Sequence, residues 1–104
     1  MEWVEFVREL RTLRAVRQPI HFVMAVHESL VLLDWTGRLV LEEREGAEHP
    51  LTFFIDRAGR GKGGGFKLNE AALADARWEA TEAGSQTLVA TMRGGHPIFT
   101  FTKA

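Results

Sequence analysis

Cysteine is absent from the 104 residues. That excludes disulfides, thiolate nucleophiles, CxxC redox pairs and Cys-containing zinc sites, so any metal would depend on four histidines and fourteen carboxylates. Serine is scarce: Ser29 and Ser85 are the only two, and neither lies in a GxSxG elbow, which argues against a serine hydrolase. Long apolar runs are also missing, since nowhere do about eighteen apolar residues stand together. Glu2, Glu5 and Arg8 interrupt the N-terminal stretch where a secretory peptide needs an unbroken apolar core. These absences lead us to expect a soluble, cytoplasmic protein with no membrane association. A strong charge of one sign is lacking as well: the formal net charge is -1, which argues against coating a duplex by bulk attraction.

What is present is a balanced globular composition, 45% hydrophobic and 26% charged. A chain of this length can bury about two thirds of its unfolded surface around one core, so we expect a single domain over residues 1-104. The charge falls in blocks. Residues 28-48 and 70-82 are net acidic, whereas 56-67 and 83-104 are net basic.

Trp3, Phe6, Val7, Leu10 and Leu13 recur at helical spacing, with Glu2 and Glu5 in the first turn and Arg11, Arg14 and Arg17 toward the end. This is an amphipathic helix whose macrodipole is complemented at both ends. The arginines at positions 8, 11, 14 and 17 step by three along a helix of 3.6 residues per turn, so they spiral instead of forming one basic face. Pro19, Pro50 and Pro97 each precede a β-rich apolar run, a position where the missing N–H breaks no ladder bond. Leu30 to Trp35 and Arg38 to Glu43 flank Thr36-Gly37, which reads as a tight hairpin; Gln86 to Met92 and Ile98 to Thr102 flank Gly94-Gly95 in the same way. Between Lys67 and Ser85, Asn69 can cap, alanines follow and Gly84 can stop, so a second helix is expected there. A competing reading takes Ala76 to Ala80 as an alternating strand. The expected fold is α+β: the N-terminal amphipathic helix packed on an antiparallel sheet of about six strands, with a second helix inserted before the last hairpin. Core candidates are Phe22, Met24, Val26, Leu32, Leu39, Val40, Phe53, Ile55, Leu88, Ala90, Phe99 and Phe101.

Residues 56-67 combine five glycines with Arg57, Arg60, Lys62 and Lys67. Glycine lets a backbone approach an anion closely, and successive free amides can form an anion-binding concavity. The GxGxxG at Gly59, Gly61 and Gly64 lacks the βαβ context of a dinucleotide site, and Lys62 is followed by Gly, which is not a Walker A pattern. A solvated, flexible connection is the plainer reading of the same letters. As a site, Arg57, Arg60, Lys62 and Lys67 would contact phosphates and Phe66 would stack on a base. His21 and His27, near Asp34, share a face if their strand is continuous, and His49 and His96 both precede proline, yet no metal-ligand spacing or HExxH appears. The acidic run Glu42, Glu43, Glu45 and Glu48 has no EF-hand spacing and reads as a solvated strand end. No cofactor or catalytic residue is expected. The chain reads as a non-enzymatic binding module for single-stranded nucleic acid or a nucleotide phosphate. The alternative is a protein-interaction module, a homodimer or an inhibitor-type partner, suggested by the charge blocks and by sheet edges open to pairing.

Overall fold

In a computed structural model describing residues 1-27, 29-57 and 65-103, the N-terminal stripe forms helix α1, Trp3–Ala15. The Glu2 backbone N–H donates to Glu5 Oε1 at 3.4 Å, and Phe6, Val7, Leu10 and Leu13 are buried, as the spacing requires. Seven strands follow: β1 (Ile20–His27), β2 (Leu30–Glu43), β3 (Leu51–Asp56), β4 (Phe66–Leu68), β5 (Leu73–Ala80), β6 (Gln86–Met92) and β7 (Ile98–Lys103). They form one antiparallel sheet in the order β4-β3-β2-β1-β7-β6-β5. Each proline stands just before a strand, at β1, β3 and β7, as expected.

The two edge strands, β4 and β5, are separated in sequence only by residues 69-72. Six inter-strand gaps of about 4.8 Å would hold the edges of a flat sheet roughly 29 Å apart. Five Cα steps from Leu68 to Leu73 reach at most about 18 Å. The sheet therefore curls, and α1 lies against its inner face. The Met1 amine donates to the Ala76 carbonyl of β5 at 2.8 Å, while Arg11 pairs with Glu43 at the far end of β2, so the helix is tied at both ends.

Alternation places large side chains inside the curl. Phe22 is fully buried, with Phe101 at 5.3 Å between ring centroids, Phe53 and Phe66 at 5.4 Å, and Phe99 at 5.8 Å. Ile20, Leu39, Leu41, Leu51, Ile55, Leu68, Leu73, Ala76, Leu88, Ala90 and Met92 complete the sheet's contribution, and the helix face closes it. Of the expected core residues, Leu32 is 49% exposed, because a register shift after Met24 places it in a bulge at the tip of the β1–β2 hairpin.

Three expectations change. First, Thr36-Gly37 is not a hairpin: β2 runs through it without a break. Gly37 is the corner at which β2 leaves its pairing with β1 (Ile20↔Gly37) and takes up β3 (Arg38↔Asp56). A Cβ at Gly37 would stand 2.9 Å from the Asp56 carbonyl carbon and closer still to its oxygen, so close backbone approach explains the glycine. Second, the expected second helix is a single 3₁₀ turn, Glu70–Ala72, followed by β5. Asn69 caps as anticipated, its Oδ1 accepting from the Ala72 N–H at 2.9 Å, but Ala76 and Trp78 then alternate inward while Asp75, Arg77 and Glu79 alternate outward. Arg77 joins both acids, at 2.6 Å and 2.8 Å, a spacing of two that faces one way only on a strand. Third, the strands number seven instead of about six, because two expected strands fuse into β2 while β4 and β5 are added.

Candidate functional site

The free side of β4 faces the connection between β6 and β7. Phe66 and Leu68 alternate inward on β4, and Met92 and Phe99, both buried, end β6 and begin β7. Between the latter pair, Gly94 and Gly95 adopt φ values of 94° and 89°, which turn the chain and leave Arg93 and His96 exposed at its shoulders. The result is a groove of about 470 Å³ whose floor is Phe66, Leu68, Ala72, Met92, Pro97 and Phe99 and whose polar lining is Lys67, Arg93 and His96. Among the described residues, no carboxylate lines it. Arg93 is fixed at its base: its backbone N–H donates to the Ala72 carbonyl at 2.8 Å, and its Nε donates to the Ala71 carbonyl at 2.5 Å. The terminal guanidinium nitrogens extend beyond that anchor.

Neighbouring clefts are electrostatically mixed. On the outer face, Arg44, Lys67 and His49 share a cleft of about 400 Å³ with Glu42 and Glu48. Beside α1, a cleft of about 550 Å³ contains Glu45 and the Arg11–Glu43 pair. In that pair the Arg11 Nη2 to Glu43 Oε1 distance is 2.5 Å, and the guanidinium holds the Glu43 carboxyl below the usual carboxylate range while Glu43 raises Arg11. The flanking acids raise Arg77 on β5 in the same manner, by accepting its guanidinium hydrogen bonds, Asp75 first and then Glu79.

Of the residues expected to bind an anion, Arg57, Phe66 and Lys67 are among the described residues, and each has its own surroundings. Arg57 places its guanidinium carbon 4.5 Å above the Trp35 ring, a cation–π contact. Phe66 is stacked on Phe53 at 4.9 Å and lies 6.4 Å from Trp35, so one face of its ring belongs to the core. Lys67, outward on β4, stands where the groove and the outer cleft meet. Arg60 and Lys62 lie outside the described residues, as do Gly59, Gly61 and Gly64. Gly65 is described, and its place is structural: a Cβ there would come 2.5 Å from the Phe54 ring.

The histidines occupy separate places. His21 Nε2 lies 2.6 Å from Asp34 Oδ1, whereas His27 Nδ1 accepts from the Ser29 backbone N–H at 3.2 Å. A register shift between Ala25 and His27 divides them. His49 and His96 precede β3 and β7, which β2 and β1 keep apart. Among the described residues, no three His, Asp or Glu side chains assemble to hold a metal. Among the same residues, no helix is long and apolar enough to cross a membrane. Arg93 is not among the residues the sequence singles out, and His96 enters there only beside His49; the signal available is a Gly-Gly turn with an arginine before it and a histidine after it. Compared with known family models, curated proteins and solved structures, the chain matches none.

Proposed function

We propose that the protein is a non-enzymatic binding module for an anionic ligand, held in the groove between β4 and the β6–β7 turn. This keeps the anion expected from the glycine-rich segment 57-67 and moves the centre of binding to that segment's C-terminal side, where Phe66 and Lys67 meet Arg93 and His96. One observation carries the reading: among the described residues the polar lining consists of Lys67, Arg93 and His96, with no carboxylate in it to repel an incoming anion. Guanidinium and ammonium groups beside an apolar floor favour anions, because a charge-assisted hydrogen bond strengthens where water is partly excluded.

Titration followed by tryptophan fluorescence tests it, with inorganic phosphate, a nucleotide, a short single-stranded DNA or RNA and an organic carboxylate as probes at two salt concentrations. At least one anion should bind, more weakly at high salt, and Lys67→Ala with Arg93→Ala should reduce affinity at least tenfold while the circular dichroism spectrum of the fold is kept. For a single strand engaging three cations, log affinity against log salt should slope at about -2. Binding that is indifferent to both substitutions, or absent for every anion, sinks the reading.

A second reading is favoured by a different observation. Leu30, Val31 and Leu32, exposed by 46%, 52% and 49%, crown the β1–β2 hairpin. Over residues 30-37, β2 has β1 as its described ladder partner and no pairing with β3. Such an edge suits a second copy of the chain. Antiparallel pairing of residues 30-36 about Leu33 sets the one charge in that stretch, Asp34, opposite Leu32 and creates no like-charged pair.

A further inference from the structure

We infer that the ligand of the β4 groove is an amphipathic carboxylate: a linear or aromatic apolar body of modest size bearing a single anionic head. The inference rests on the reading that this groove binds anions, and it names the class. Its first support is the polarity of the lining. Apart from Lys67, Arg93 and His96, every lining residue among those described is glycine or apolar, with no hydroxyl, amide or carboxylate side chain. A nucleotide carries a ribose and a hydrogen-bonding base edge besides its phosphate, and those groups would be desolvated against Phe66, Leu68, Met92 and Phe99 without side-chain partners other than these rim donors. A ligand whose polarity is confined to one end leaves nothing unpaired.

The second support is size and shape. About 470 Å³ lies within the range of small-ligand sites, a volume that suits a compact apolar body with one charged end. The third is the preparation of Arg93. Its Nε is committed to the Ala71 carbonyl at 2.5 Å and its backbone N–H to the Ala72 carbonyl, so the guanidinium plane is held before a ligand arrives and its outer edge can meet a carboxylate. Lys67 and His96 line the same groove and supply further N–H donors for the head, while the hydrocarbon part covers the half-buried Phe66 ring.

Calorimetric titration with hexanoate, octanoate and decanoate, and with 1-naphthoate as the aromatic arm, should reveal which kind of body the floor takes. Each methylene added along the fatty-acid series should tighten binding roughly three- to fourfold until the floor is filled. Octanol should bind at least tenfold more weakly than octanoate. Arg93→Ala should abolish that difference without altering octanol binding, and Arg93→Lys should restore part of it. Lys67→Gln and His96→Gln, at exposed positions, should weaken carboxylate binding several-fold and cover the case in which loss of the Arg93 anchor unfolds the turn. Equal binding of alcohol and acid, or an affinity unchanged along the series with no preference for naphthoate over hexanoate, overturns the inference. Phosphate or oligonucleotide binding without carboxylate binding overturns the ligand class but leaves the groove an anion site. If no anion binds, both fall.

Discussion

Gly37 shows how a single residue can carry an architectural decision. It lacks a Cβ where the Asp56 backbone crosses, and Ile55 Cγ2 would lie 3.0 Å from one. Because the opposing atoms include backbone, Gly37→Ala cannot be relieved by a rotamer change. We expect it to destabilise the fold by about 1–3 kcal/mol, read as a lower denaturant midpoint with an unchanged slope. Gly65 differs in kind, since the group it faces is the Phe54 ring. Composition showed both glycines and could not distinguish them from turn formers, because the reason for each lies in a strand distant in sequence. The same holds for Arg57. Read as a phosphate contact, it sits on Trp35, a partner that no local pattern announces.

At the level of elements, legibility followed periodicity. Helix α1 was readable because its buried face repeats at 3.6 residues, and β1, β3, β6 and β7 because proline, glycine and alternation mark their ends. Strand β5 is ambiguous in the sequence: its alanines favour the expected helix, but the competing strand reading of Ala76 to Ala80 is the one the structure shows, as the outward Asp75, Arg77 and Glu79, spaced by two, indicate. The groove was half legible: Phe66 and Lys67 belong to the cationic segment, while Arg93 and His96 enter through a turn 26 residues or more along the chain. The contact between α1 and β2 yields a pH prediction. Arg11 depresses the Glu43 carboxyl, so the pair stabilises the fold above the unfolded-state value of that glutamate and loses its effect as pH falls through the lower folded value. Glu43→Gln should therefore melt below the wild type at pH 7, and the gap should close on acidification toward pH 3, as thermal scans across that range would reveal.

On the scale of the whole molecule, the curled sheet presents two unlike surfaces: a charged groove beside the β6–β7 turn and an apolar hairpin crown. If the crown pairs copies of the chain, sedimentation velocity should show dimers forming as concentration rises, and Leu32→Lys should leave monomers with the same circular dichroism. A monomer at every concentration would discard that pairing. One ladder stands apart from the rest. All the others join strands consecutive in sequence, whereas β1 pairs with β7 from Ile20↔Lys103 to Ala25↔Ile98, closing a loop of about eighty residues. Two meanders can zip up early from short-range contacts, but their union is a long-range search and should limit the folding rate. During synthesis the ring cluster around Phe22 stays incomplete until β7 has left the ribosome, and through that interval the nascent chain offers a sticky strand to any neighbour or chaperone that reaches it first.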